Sequence, residues 1–308
     1  MKIIFMGTPD FSVPILKALI QAGHEVVLAV TQPDQPKGRG KSVSFSAVKT
    51  AALECQIPVY QPKRIREPEC VSHLRTFEAD IMVVAAFGQI LSEEILTMPK
   101  YGCVNVHASL LPKYRGASPI QWAVLNGEKT TGVTTMQMDV GIDTGDILEK
   151  TEIALAEDET GGSLFDKLSE AGAELCVRTL AHIQDGTVTR TKQEEAQATH
   201  VGMITKQMGE VDWTKSAVQI ERQIRGLNPW PGTYTSLHGR LLKLWKAAAL
   251  EGGDSDQAGK VVCVDKKQLI VQTGEGQLSL LEVQPEGKKR MPVDAFLRGY
   301  QIEPGQKF

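Results

Sequence analysis

No apolar run in the chain approaches the roughly 20 residues that a membrane-spanning helix requires, so no membrane anchor is expected. Met1-Lys2 leads into Ile3-Ile4-Phe5-Met6-Gly7, an apolar stretch too short for a secretory leader. Cysteine is scarce. Cys55, Cys70, Cys103, Cys176 and Cys263 are odd in number and show no C-x-x-C spacing, which fits neither a disulfide framework nor a zinc site and points to the reducing cytoplasm. The six histidines form no H-x-x-x-H or H-E-x-x-H pair, so no metal is expected. The glycine signatures of nucleotide sites are missing as well. Gly7-Thr8-Pro9-Asp10-Phe11 follows the first apolar run but is not G-x-G-x-x-G, and Gln35 stands where a P-loop ending in Gly40-Lys41-Ser42 needs its leading glycine. There is no internal repeat.

What is present is an ordinary globular composition over 308 residues, with 42% hydrophobic and 23% charged, long enough for one large or two ordinary domains. The net charge of −3 alone argues against a nucleic-acid partner, but its distribution does not. Residues 205–308 carry 15 basic and 12 acidic side chains, leaving 19 and 25 for the remainder. The acidic part still holds a basic island, Lys37-Gly38-Arg39-Gly40-Lys41. A basic tail plus a basic loop is a weak footprint for a polyanion, and solvated surface charge would explain it equally well.

Strand and helix signals alternate through the first half. Lys2–Met6, Glu25–Thr31, Val59-Tyr60, Asp80–Ala86, Gly102–His107 and Thr131–Met138 read as strands. Helices are expected from Pro14 to Gly23, over Ser44–Cys55 with Ser44 as N-cap, over Glu67–Phe77, near Ser92–Leu96 and over Pro119–Asn126. This order predicts a Rossmann-like, doubly wound α/β fold with a mostly parallel sheet, whose ligands bind beyond the carboxyl ends of the strands. A long helix, Ser163–Ile183, closes a first domain at 1–186, and the polar, aperiodic stretch 187–204 reads as a linker. In 205–308, a helix through Ala217–Arg225 precedes five short strands separated by turn residues, which suggests a small OB-like β-barrel domain.

Asn105 and His107 lie two residues apart at the end of one expected strand, so both side chains share a face. About thirty residues on, Met138–Asp146 sets three carboxylates in a glycine-punctuated turn that can fold back on the imidazole. An amide donor and a group titrating near neutrality are the equipment of acyl transfer. The first stabilises a developing oxyanion, and the second carries the proton off the nucleophile. Asp143 is the candidate to orient the imidazole and fix its tautomer. Ser109-Leu110-Leu111-Pro112 and Phe87-Gly88-Gln89-Ile90-Leu91 leave neighbouring strands and would wall a mostly apolar cleft suited to a flat heteroaromatic ligand such as a pterin.

Asn105–Pro112, Tyr114-Arg115-Gly116-Ala117-Ser118-Pro119-Ile120 and Met138–Asp146 together closely resemble the methionyl-tRNA formyltransferase family. So do Met6–Phe11, Gln32-Pro33-Asp34, Gly38–Lys41 and Leu227-Asn228-Pro229-Trp230-Pro231-Gly232, so that the resemblance spans the whole chain. The central motifs are common to 10-formyltetrahydrofolate-dependent transferases and specify the donor. The basic loop and the tail domain carry the tRNA assignment. The resemblance implies a catalytic trio of Asn105, His107 and Asp143. It also implies a folate site at Ser109, Leu110, Leu111, Pro112, Phe87, Gly88, Gln89, Ile90, Leu91, Asp139, Val140 and Gly141. Contacts to initiator methionyl-tRNA would come from Lys37, Arg39 and Lys41. A monomer is expected. Other acceptors stay open within the same chemistry: a sugar-nucleotide amine, a glycinamide nucleotide, or water.

Overall fold

Six residues, Lys-Ile-Ile-Phe-Met-Gly, form β1 (Lys2–Gly7), and all but the first are buried. An uninterrupted apolar run of that length is what a strand covered on both faces requires. A computed structural model gives the architecture, described for residues 1–37, 42–253 and 255–308. After β1 come α1 (Ser12–Gln21), β2 (Glu25–Val30), the short strands β3 (Gln35–Lys37) and β4 (Ser42–Ser44), α2 (Ala47–Glu54), β5 (Val59–Tyr60) and α3 (Pro68–Arg75). Next are β6 (Ile81–Ala85), α4 (Glu93–Leu96), β7 (Cys103–His107), β8 (Arg115–Gly116), α5 (Pro119–Leu125), β9 (Thr130–Gln137), β10 (Ile147–Ala154), α6 (Gly161–Gln184) and β11 (His200–Val201).

Seven of these strands form one sheet in the order β10-β9-β7-β6-β1-β2-β5. The pairs among β5, β2, β1, β6 and β7 are parallel, and β9 and β10 add antiparallel pairs at one edge. The doubly wound α/β expectation is met. The carboxyl ends of β1, β6 and β7 lie side by side, with Gly7 opposite Ala85 and Val84 opposite Asn105.

Two local expectations change. Ser46, not Ser44, caps α2, its hydroxyl accepting from Lys49 N at 3.1 Å, because Ser44 is spent on β4. The edge strand β10 has no counterpart in the sequence reading. After the buried Ile147 and Leu148 its residues alternate between half-buried and exposed, so it lacks the apolar run that marks the central strands.

The chain divides into two units, the first comprising 1–119, 130–154 and 165–201, the second 120–129, 155–164 and 202–308. Most of the stretch expected as a linker is thus bonded into the first unit. Thr191 and Ile147 exchange backbone hydrogen bonds, and β11 pairs with β8. In the second unit, α7 (Ala217–Gly226) starts from a capping box of Ser216 and Gln219 and buries Ile220 and Ile224. Then follow β12 (Thr233–Leu237), β13 (Arg240–Leu250), β14 (Val261–Val264), β15 (Leu269–Gln272), β16 (Gln277–Pro285), β17 (Met291–Pro292) and α8 (Val293–Leu297). The strands form one antiparallel sheet in the order β12-β13-β16-β15-β14, with β17 on β16. This is the expected C-terminal β domain. Among the described residues, no helix is long and apolar enough to cross a membrane.

Candidate functional site

β7 presents two chemically distinct faces. Val104 and Val106 are 0% and 2% exposed, and Val106 packs toward α6 near Gly172. Alternation therefore turns Asn105 and His107 to the opposite face, where the loop between β9 and β10 folds back on them. The Asp143 carboxylate meets both side chains. Asn105 Nδ2 donates to its Oδ1 at 3.4 Å, and its Oδ2 lies 3.6 Å from His107 Nδ1. The backbone N–H of Gly116 donates to Oδ2 at 2.8 Å. The structure thus brings the predicted trio together. His107 and Asp143 are largely shielded, their side chains 8% and 14% exposed.

The tautomer of His107 is fixed by a different group from the one expected. Its Nε2 lies 2.9 Å from the carbonyl oxygen of Tyr114, which can only accept, so Nε2 carries a hydrogen. The other ring nitrogen, Nδ1, faces the Asp143 carboxylate. A backbone acceptor has no signature in sequence, whereas a carboxylate does.

Backbone strain collects around this point. Ala86, Tyr114, Ser118 and Asp143 all adopt positive φ, between 47° and 60°, although none is glycine. For Asp143 (φ 56°) the left-handed turn aims the carboxylate back at β7. Two glycines make close approaches possible: a Cβ on Gly145 would lie 1.8 Å from Gln137 O, and one on Gly116 would lie 2.5 Å from Val201 O.

The three loop carboxylates do different work. Only Asp143 reaches Asn105 and His107. Asp139 accepts from Gly141 N at 3.0 Å and from Thr144 Oγ1 at 2.6 Å, holding its own turn. The backbone carbonyl of Asp146 accepts from Gln137 N.

Of the expected cleft walls, Ser109–Pro112 is braced from below. Thr134 Oγ1 donates to Ser109 O at 2.7 Å and accepts from Leu111 N at 3.1 Å, and Lys150 Nζ donates to Leu111 O at 2.5 Å. Burial lowers the pKa of Lys150. Ser109 donates to Lys113 O, and Leu111 is packed against Met136 and Ile147, leaving Leu110 the most accessible side chain of the four. In the second wall, Phe87 and Leu91 are buried in the core. Gln89 is pinned by Ile65 N and Pro62 O, and Gly88 has a φ of 82°. Ile90 is 65% exposed, as are Val140 (71%) and Ile142 (63%) on the Asp143 loop, an unusual display of large apolar side chains on two loops.

A cavity of about 560 Å³ is lined by Leu96, Thr97, Met138, Asp139, Val140 and Arg190, among others. It opens beside Tyr101 and Gly102 at the amino end of β7, and Asn105, His107 and Asp143 are not among its lining residues. Asp139 and Val140 are the residues of the expected folate set that line it. A smaller cavity of about 250 Å³, between Leu74, Met82 and Met98, lies apart from the trio.

Lys37 ends β3, its backbone in register with Ser42; Arg39 and Lys41 lie outside the described residues. Among the described residues, no cluster of three or more histidine, cysteine or acidic side chains is arranged to hold a metal ion.

Two family models match the chain one after the other. The formyl transferase family model matches residues 1–180, and that of the formyl transferase C-terminal domain matches 203–301. A methionyl-tRNA formyltransferase of Agathobacter rectalis is 59% identical over 308 residues, covering 100% of this chain and 99% of the relative. One of Geobacter sulfurreducens is 47% identical over 307 residues, covering 100% and 96%. Among solved structures, an N-formyltransferase of Helicobacter canadensis in complex with folinic acid and dTDP-3-aminofucose superposes with a TM-score of 0.67 at 18% identity, over 92% of this chain and 99% of that one. HypX of Aquifex aeolicus in complex with tetrahydrofolic acid gives 0.64 at 16% identity, over 100% of this chain and 51% of that one. These structural likenesses establish the fold.

Proposed function

The chain belongs to the formyl transferase family, and from that premise we propose that it transfers a formyl group from 10-formyltetrahydrofolate to the α-amine of initiator methionyl-tRNA, yielding N-formylmethionyl-tRNA for translation initiation. The observation that carries this reading is the match over the full chain, second unit included, to methionyl-tRNA formyltransferases.

When bound, the donor supplies an electrophilic formyl carbon. Ile90 and Val140, exposed on the two loops, and the polar groups of Asn105, His107 and Asp143 supply the mixture of apolar surface and fixed polar groups that a pterin needs. Asn105, His107 and Asp143 are the catalytic groups. One N–H of the Asn105 amide is directed at Asp143, leaving the second for the oxygen that gains charge as the amine adds. With Nε2 committed to Tyr114 O, His107 takes the amine's proton at Nδ1, and the proton held there is then available to the departing nitrogen. Asp143, 3.6 Å away, balances the imidazolium charge. An aminoacyl ester suits this site because esterification leaves more of the amine neutral at physiological pH than in the free amino acid. Ser109–Pro112 and Phe87–Leu91 are assigned to the folate, and Lys37, Arg39 and Lys41, with the second unit, to the tRNA. The enzyme so described is monomeric and cytoplasmic and draws its acid–base chemistry from side chains, with no metal called upon.

The test is an acceptor screen with 10-formyltetrahydrofolate as donor. Formyl transfer to initiator methionyl-tRNA, and not to free methionine, uncharged tRNA or amino-sugar nucleotides, is the expected result. Donor hydrolysis at the same rate with and without aminoacylated tRNA would overturn it.

A further inference from the structure

Asp143 is held at its main chain as well as at its carboxylate. Gln193 Nε2 donates to Asp143 O at 2.8 Å and to Gly145 O at 2.7 Å, so both amide hydrogens grip the two sides of the left-handed turn. The other end of the same amide, Oε1, accepts from Arg115 Nε at 3.0 Å. A guanidinium offers donors only, so it forces Oε1 toward itself and the NH₂ group toward the loop; the amide cannot flip without setting donor against donor.

Arg115 is itself 1% exposed, a costly place for a cation unless its charge is met. Glu195 meets it, with both carboxylate oxygens near Nη1 at 2.9 and 3.1 Å. Arg115 also immediately precedes Gly116, whose N–H grips the Asp143 carboxylate. The Arg115–Gly116 step therefore reaches Asp143 twice, directly through the backbone and indirectly through Gln193.

From this geometry we infer that Gln193, oriented by Arg115, is a positioning residue for the formyl-transfer reaction: it locks the backbone of Asp143 in the left-handed conformation that aims the carboxylate at His107 and Asn105. The inference rests on the functional reading above, in which those three side chains carry the chemistry. Gln193 touches no reacting atom. It acts on how often Asp143 is aimed correctly, and so on kcat rather than on substrate affinity. Displacement of a catalytic group by about 1 Å is enough to cost up to roughly 100-fold in rate.

Gln193→Glu is the discriminating variant. It keeps the length of the side chain and gives Arg115 a stronger partner, so the buried cation stays paired. It also replaces the two N–H donors with an oxygen facing two carbonyl oxygens. The expected result is a kcat lower by about 10-fold or more, with KM for tRNA and folate within about twofold. Gln193→Met, which removes donor and acceptor alike, should behave the same way on kcat. In an Asp143→Asn background the Gln193→Glu loss should shrink to within about twofold, since two residues that act as one unit are not additive. Wild-type kcat in Gln193→Glu, a loss confined to KM, or a full loss persisting in the Asp143→Asn background would each overturn the positioning role. Failure of the wild-type protein to formylate methionyl-tRNA would instead overturn the functional reading, so the two failures are separately visible.

Discussion

The loop at Asp143 and the core of the second unit are held together in opposite ways. Around Asp143, order comes from hydrogen bonds contributed by segments distant in the chain: Asn105 from β7, Gly116 from β8 and Gln193 from beyond α6. Large apolar side chains there, Val140 and Ile142, face solvent. In the second unit, Ile220, Leu244, Leu269, Leu278, Val283 and Phe296 belong to one packed core and are at most 1% exposed. A network of directed bonds fixes a geometry but removes little apolar surface from water. A packed core removes much and is indifferent to the angle of any one bond. A directed network is thus suited to aiming a carboxylate, and a packed core to stabilising a fold.

That contrast breaks most plainly at His107. His107→Ala and Asp143→Ala should each lower turnover by about 100-fold or more while leaving tRNA binding within about twofold, because each removes a proton-handling group and little packed surface. Initial-rate formylation assays combined with filter binding separate the two quantities. Near-normal turnover in either variant would remove the trio from the mechanism.

The reverse result is expected from Phe296→Ala. Phe296 is 0% exposed and stacks on Tyr300, with ring centroids 4.5 Å apart. Deleting a buried phenylalanine ring costs about 3–5 kcal/mol. Urea unfolding followed by circular dichroism should show that loss, while turnover per folded molecule stays close to wild type. A loss below about 1 kcal/mol would mean that the second unit is not held by this core.

The same contrast explains what could be read from the sequence. Strands β1, β6 and β7 are apolar runs, and β12 to β16 alternate between turns, so burial wrote a period into the chain at both places. Asn105, His107 and Asp143 were legible because their residue types are unusual where they occur. Gln193 and Arg115 were not, although they hold the same site. Their partnership spans 78 residues, and each stands in a polar stretch without a period. The role of Tyr114 was hidden for a simpler reason, since it acts through a carbonyl that every residue has. β10 escaped as a half-exposed edge, and α8 is only five residues long.

Charge gives a smaller effect and sharpens the comparison at the level of binding. If the basic island 37–41 and the basic second unit share the tRNA, removing one cation from the island should take only its own share. Arg39→Ala should weaken tRNA binding and reduce the slope of log K against log salt by about one. Binding measured over a series of salt concentrations checks this. An unchanged slope would leave the second unit as the main electrostatic contact.

The smallest effect expected is on acid stability, and it distinguishes the two regions by kind. Glu149 on β10 faces His182 and Arg178 on α6, with His182 Nδ1 at 2.7 Å, Arg178 Nε at 3.4 Å and the Thr179 hydroxyl at 2.7 Å. Burial pushes its carboxyl group upward, but the hydrogen bonds from Thr179 and His182 and the charge of Arg178 outweigh it, so its pKa lies below the ordinary 4.5. A carboxyl with a folded-state value below its unfolded one adds stability that is fully present above about pH 4.5 and is lost as the pH falls through the lowered value. Glu149→Gln should therefore be less stable than wild type near neutrality, with the gap closing over the acid side of a series from about pH 7 to pH 3. Urea midpoints at each pH measure it. The Phe296→Ala deficit should stay constant over the same series, since no titrating group stands behind it. A Glu149→Gln gap that was equally constant would mean that Glu149 serves β10 by packing alone.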